Sequence, residues 1–242
     1  MTANDSPPSP PSSPSPFRLL RSPVGARVLP FALFILLTFG QGRLGPASPY
    51  WLYAIKTVVA GGLLWSVRRS LLELEWRLSL EALAAGVAVF LLWIGLGDLL
   101  LRLGLPDSFL TLKATGDPWN PHVQFGQGSP LAWTFILVRL LGSTVVVPPL
   151  EEIFFRSFLY RYIARIDFLS VPLGTFLRVP FLVTSVVFGF EHREWLAGIL
   201  CGFCYQGLVC WRKRLGDAIT AHAITNLLLG AWVVWKGYWN YW

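Results

Sequence analysis

The sequence has little charge for its length. Asp, Glu, Lys and Arg make up 14% of the 242 residues, whereas hydrophobic residues make up 54% and the mean hydropathy is +0.55. A soluble domain carries about a quarter charged residues. The chain also has several apolar runs near the roughly 20 residues that a helix needs to cross a bilayer. These features exclude an ordinary soluble domain and predict an integral membrane protein.

Cysteine is scarce, and long basic runs are missing. The three cysteines, Cys201, Cys204 and Cys210, lie in one apolar segment, which excludes the disulfide framework of a small secreted fold and favours buried, unreactive side chains. The net charge is +7, but the longest basic run is the three residues 212–214. We therefore expect contact with membrane lipids and no binding of nucleic acid.

The chain divides into a tail and one membrane domain. Residues 1–16 are mostly Pro and Ser and predict a disordered tail, followed by a single integral membrane domain at 17–242. The fold class is all-α: a polytopic transmembrane helix bundle of seven spans, or eight if a short or re-entrant helix is added. The expected spans are 28–44, 50–67, 80–103, 130–150, 172–190, 195–211 and 215–235. Pro148 and Pro149 lack an N–H and are expected to break or kink the fourth span.

The positions of Lys and Arg predict the orientation of these spans. Basic residues are concentrated at 18–27, 68–77, 156–165 and 212–214 and are sparser in the alternate loops. The positive-inside rule therefore places the N-terminus in the cytoplasm and, with seven spans, the C-terminus outside. Lys56, Arg139 and Arg178 fall in or near apolar runs, and we assign no function to them.

Two adjacent carboxylates follow the proline pair. On a helix, Glu152 and Arg156 are four residues apart, so they face each other in the favourable acid-before-base order. Glu151 lies about 100° round the helix and is free to point elsewhere. The segment is also compatible with plain helix capping, because acidic residues favour the first turn of a helix. The two interpretations stay open on this segment alone.

Histidines in the same half of the chain favour a functional site. One apolar run ends at His192, and His222 and Asn226 lie four apart on one face of an apolar helix. Polar side chains inside membrane segments are costly and are often functional. The third histidine, His122, falls in a polar loop and is expected to be a surface residue.

These residues form three ordered motifs that resemble a known family. Glu151-Glu152-x-x-x-Arg156, Phe188-x-x-x-His192 and His222-x-x-x-Asn226 are similar to the motifs of the CPBP intramembrane proteases, which include CAAX prenyl endopeptidases and bacterial Abi proteins. The resemblance covers about residues 130–235. The first half looks like the CAAX-protease-related subgroup that is linked to bacterial exosortase systems. The resemblance implies a bacterial inner-membrane protein with an active site inside the membrane.

The resemblance also implies roles for these residues. Glu151 and His192 would activate a water molecule, His222 and Asn226 would hold the oxyanion of the tetrahedral intermediate, and Glu152 and Arg156 would maintain the shape of the first motif. The substrate would be a membrane-associated or lipidated protein or peptide. Two cofactor states stay open: zinc held by Glu151, His192 and His222, which is a ligand set suited to catalytic zinc, or no metal.

Two other classes of function remain as alternatives. A catalytically silent scaffold or immunity protein would need no working base, and a transporter also uses intramembrane Glu, His and Asn. The predicted topology places Glu151 near the inner face and His192 near the outer one. A protease therefore requires that the fold bring Glu151 towards the middle of the membrane or turn the segment around His192 inward.

Overall fold

The computed structural model describes residues 16–104 and 118–242. The predicted tail lies outside these residues apart from Pro16, as do residues 105–117 of the loop before the fourth apolar run. The described part of the chain is helical and contains no strand, which confirms the all-α class. We number its α-helices in chain order: α1 (Pro16–Arg21), α2 (Pro23–Thr38), α3 (Ser48–Val67), α4 (Leu80–Arg102), α5 (Pro121–Phe125), α6 (Pro130–Ala164), α7 (Arg178–Phe190), α8 (Trp195–Arg212) and α9 (Leu215–Lys236).

Several helix ends are set by local sequence. Both α2 and α6 begin with a Ser-Pro pair, in which the serine side chain caps a free backbone N–H. Ser22 accepts from the N–H of Gly25 at 2.9 Å, and Ser129 accepts from that of Ala132 at 3.1 Å. At the other end of the chain, α9 stops at Gly237, whose φ of 71° suits a residue without a side chain.

Fewer helices meet the criteria for a membrane span than the sequence predicts. Among the described residues, three helical stretches are long and apolar enough to cross a bilayer: Leu80–Gly97, Pro130–Ala164 and Leu215–Lys236. Two shorter apolar helices, Pro23–Thr38 and Arg178–Phe190, accompany them. The structure thus supports an integral membrane protein but does not confirm seven or eight spans. The predicted bounds of the first and fifth spans were also wrong, since the corresponding helices are α2 and α7.

Helix α9 is the centre of the bundle. In one apolar 18-residue window of each candidate span, 56% of the residues are buried in α9, against 17% in α4 and 17% in α6. It packs against α4, α6 and α8, while α7 packs mainly against α8. The contact with α4 is close, because a Cβ added at Gly86 would come within 2.6 Å of the carbonyl oxygen of Ala221. The polar residues of α9 therefore face other helices and lie away from the lipid.

The proline pair does not end helix α6. The helix runs for 35 residues, so of the predicted break or kink the break does not occur, and a wider π-helical stretch at Gly142–Val146 ends two residues before Pro148. A second π-helical stretch follows at Ile153–Leu159. Bonds from residue i to i−5 accommodate residues that cannot continue the regular α pattern. Glu151 and Glu152 are consequently held inside a continuous helix, far from both of its ends.

A buried ionic cluster joins α2 and α6 to the segment before α4. Glu73 Oε1 lies 2.7 Å from Arg27 Nη2 and 3.5 Å from Arg161 Nη2, and it accepts a hydrogen bond from the Ser157 hydroxyl. Burial alone would raise the pKa of the Glu73 carboxyl. The Ser157 hydrogen bond and the charge of Arg27 outweigh burial and hold the pKa below its ordinary value of 4.5.

Candidate active site

Four of the six residues predicted to form the site line one cavity, and Glu152 and Arg156 lie behind it. Its volume is about 320 Å³, and its walls include Glu151, His192, His222 and Asn226. The side chains come from α6, from the turn after α7 and from α9. The fold therefore brings His192 to the same side of the bundle as Glu151, as the protease hypothesis requires.

Glu152 lies at the centre of a buried chain of polar contacts. It is fully buried, and its two carboxylate oxygens face different partners. Oε2 is 3.2 Å from Arg156 Nε, as the four-residue spacing predicts, while Oε1 is 3.0 Å from His222 Nδ1. Because a carboxylate accepts hydrogen bonds, His222 Nδ1 must carry the proton. Glu152 therefore sets both the tautomer and the orientation of His222, a link that the sequence did not predict.

Glu151 points away from that chain into the cavity. Its side chain is mostly buried, yet Oε2 has no hydrogen-bond partner among the described residues. The nearest basic atom is His222 Nε2, at 3.9 Å. This separation is too long for a direct hydrogen bond, although a water molecule can bridge two polar groups that are too far apart to bond directly. Glu151 thus has the free acceptor that a general base needs.

His192 is oriented by the backbone of α7. Its Nδ1 lies 2.9 Å from the carbonyl oxygen of Phe188, which can only accept, so Nδ1 carries the proton and Nε2 is left as an acceptor. The ring also packs against Phe188 and Trp93, with centroid distances of 4.8 and 5.4 Å. The Phe188-x-x-x-His192 motif therefore combines a packing surface and a backbone acceptor for one imidazole.

The other two motif residues are held by packing and hydrogen bonds. The Arg156 guanidinium lies 4.1 Å above the Phe188 ring, in addition to its contact with Glu152. Asn226 donates from Nδ2 to the backbone carbonyl of Ser143 on α6 at 2.8 Å. One of the two N–H groups of Asn226 is thus used within the protein.

The possible zinc ligands do not form a metal site in this structure. Glu151, His192 and His222 have the right chemistry for zinc. Within the ranges 16–104 and 118–242, however, no three His, Cys, Asp or Glu side chains lie close enough together to hold one ion. The described side chains therefore give geometric support for a water-activating carboxylate but not for a metal centre.

The cavity also includes residues to which the sequence analysis gave no role. Tyr205 stacks on the ring of His222, with centroids 5.1 Å apart, and no sequence signal separates it from other aromatic residues of α8. Lys56 and Arg139 also line the cavity. Arg139 lies over Tyr53 and Trp119, at 5.0 and 4.5 Å from the ring centroids. The sequence feature that could have identified Lys56 and Arg139 is a positive charge within an apolar run.

Comparison with known proteins agrees with the motifs. Residues 132–228 match the family model described as Rce1-like, type II CAAX prenyl endopeptidase. This match spans all three motifs and confirms the resemblance to CAAX intramembrane proteases. No curated protein and no solved structure matches the chain.

Proposed function

Because residues 132–228 match CAAX prenyl endopeptidases, we propose that this protein is an intramembrane endopeptidase. It would hydrolyse a peptide bond of a membrane-associated or lipidated protein or peptide. The observation that best supports this activity is the free carboxylate oxygen of Glu151 in a cavity shared with two oriented imidazoles. The match to the family supports protease chemistry in general, and the assignment of individual residues is our proposal.

In this mechanism, Glu151 acts as the general base. A water molecule placed between Glu151 and the histidines loses a proton to the Glu151 carboxylate while its oxygen attacks the peptide carbonyl carbon. When the tetrahedral intermediate collapses, the C–N bond breaks and the leaving amine takes that proton. The acceptor nitrogen of His192, whose ring is held by the carbonyl of Phe188, would orient the attacking water.

His222 would stabilise charge in the intermediate. Because Nδ1 already carries a proton, Nε2 can donate to an oxyanion only if the ring enters the reaction as an imidazolium, with a proton on each nitrogen. The Glu152 carboxylate, 3.0 Å from Nδ1, would stabilise that charge. Arg156 forms an ion pair with the second carboxylate oxygen of Glu152 and keeps that carboxylate in place. Donors that are already oriented in a dry site stabilise transition-state charge most strongly.

The surroundings of the site are also part of the proposal. We propose a bundle of seven or eight spans in the inner membrane of a bacterium, with the N-terminus in the cytoplasm, in contact with membrane lipids. The basic residues near the start of α2 and the end of α8 support this orientation.

The experiment that tests the proposed function compares two conservative variants in the native host. Glu151→Gln keeps the size of the side chain and removes the base, so a membrane protein or peptide should accumulate uncut. Glu75→Gln is the matched control, because Glu75 forms a surface ion pair with Arg77 that is about half exposed. Normal processing in the Glu151→Gln strain would refute Glu151 as the base.

A further inference from the structure

Pro148 leaves a carbonyl of α6 without its backbone donor. In the π-helical stretch, the N–H of Val147 bonds to the carbonyl of Gly142, five residues earlier. The carbonyl of Ser143 could be reached by the N–H of residue 147 in the α register, or by that of residue 148 if the π register continued by one residue. Since residue 148 is proline, neither residue 147 nor residue 148 donates to Ser143. The donor that does reach this carbonyl is Nδ2 of Asn226, at 2.8 Å.

Helix α9 therefore holds α6 on both sides of the proline pair. Asn226 binds Ser143 before the prolines, and His222, one turn away on α9, binds Glu152 after them. The backbone between these two contacts has lost two N–H donors. That stretch also leads into Glu151, whose direction must be fixed if it is to act as a base.

We infer that Asn226 is a positioning residue whose side-chain amide replaces the hydrogen bond that Pro148 cannot make. The resemblance implies an oxyanion donor at this residue, which would have to point an N–H into the cavity. The structure directs one of the two N–H groups of Asn226 at the Ser143 carbonyl, and the positioning role rests on that contact. The effect of Asn226 on turnover rests on the proposed function, whereas its effect on α6 does not.

The test is a double-mutant cycle between Asn226 and Pro148. Asn226→Leu has a similar size and no donor, so it should lower the apparent Tm of the detergent-solubilised protein by roughly 2–12 °C, through an unpaired carbonyl. Pro148→Ala restores a backbone N–H in reach of Ser143. The loss of Tm caused by Asn226→Leu should therefore be less than half as large in the Pro148→Ala background. Pro149→Ala is the matched control, because in the π register its N–H would point to Thr144 and not to Ser143. The full loss of Tm caused by Asn226→Leu should remain in that background.

Turnover distinguishes positioning from oxyanion binding. Loss of one oxyanion donor lowers turnover by roughly 10²–10³-fold, whatever residue stands at 148. A positioning role predicts that Pro148→Ala restores the turnover of Asn226→Leu by at least about 10-fold, measured on the membrane protein that accumulates uncut with Glu151→Gln. Additive losses in both Tm and turnover would overturn the inference.

The inference can still be tested if the unmodified protein is inactive or if the double variant does not fold. If Tm shows the coupling but the unmodified protein has no protease activity, the hydrogen-bond replacement stands and the proposed function fails. If the double variant does not fold, hydrogen exchange on Asn226→Leu alone decides. Faster exchange of the backbone amides at 150–153 supports the inference, and unchanged exchange there overturns it.

Discussion

The same conservative change at the two adjacent carboxylates, Glu151 and Glu152, should abolish cleavage in both cases but lower stability only at Glu152. Glu152→Gln removes the charge that faces Arg156, which is itself 1% exposed and has no other carboxylate within ion-pair distance among the described residues. Breaking a buried pair leaves an uncompensated charge and costs about 3–5 kcal/mol. For a chain of this length that free energy corresponds to a fall in Tm of roughly 6–20 °C.

Glu151→Gln removes a charge that has no hydrogen-bond partner at Oε2 and lies 3.9 Å from its nearest basic atom. We therefore expect its Tm to stay within about 4 °C of the unmodified protein, while cleavage is abolished. Glu152→Gln should lose both stability and cleavage, because His222 also loses the carboxylate that orients it.

The measurement is thermal unfolding of the unmodified protein and of the Glu151→Gln, Glu152→Gln and Glu75→Gln variants in one detergent, paired with the cleavage assay. Glu75→Gln serves as the control for loss of an exposed carboxylate, since surface ion pairs contribute only about 0–1 kcal/mol. A large loss of Tm for Glu151→Gln together with an unchanged Tm for Glu152→Gln would refute the assignment of the two carboxylates.

Three other predictions concern His222, Glu73 and bound zinc. His222→Ala should reduce cleavage by roughly 10²–10³-fold, whereas His122→Ala, at a histidine outside the cavity, should leave the cleavage rate unchanged; equal rates would remove His222 from the mechanism. The pKa of Glu73 is lowered in the folded protein, so its contribution to stability is complete above about pH 4.5 and is lost as the pH falls through the pKa of the folded state. Between pH 6 and pH 3, the free energy of unfolding should therefore fall less in Glu73→Gln than in the unmodified protein. Equal falls in the two proteins would contradict this prediction. Active protein washed with a chelator should contain well under one zinc per chain by elemental analysis, and activity that returns only with added zinc would establish a metal centre instead.

Short-range spacing was enough to predict the local pairs in the site. The spacing of four residues from Glu152 to Arg156, and from His222 to Asn226, puts each pair on one helix face, because an α-helix repeats every 3.6 residues. The low charge and the apolar runs likewise predicted a helical membrane protein. Spacing could not predict that Glu152 also binds His222, since that contact joins residues 70 positions apart.

The effect of the proline pair was decided by tertiary structure. A missing N–H predicts a break in an isolated helix, but α6 continues because a π-helical stretch and the Asn226 side chain accommodate the lost bonds. The continuing helix keeps Glu151 away from both helix ends and within reach of His222.

The sequence by itself determined the helical class, the membrane character and the chemical groups of the candidate site. These follow from composition and from contacts within one or two helical turns. Tertiary structure alone decided which face of each helix meets the cavity, which carboxylate stays unpaired and which donor replaces the one that Pro148 lacks. Each of those outcomes depends on packing between α6, α7 and α9, whose contacts are set by side chains that are distant in the sequence.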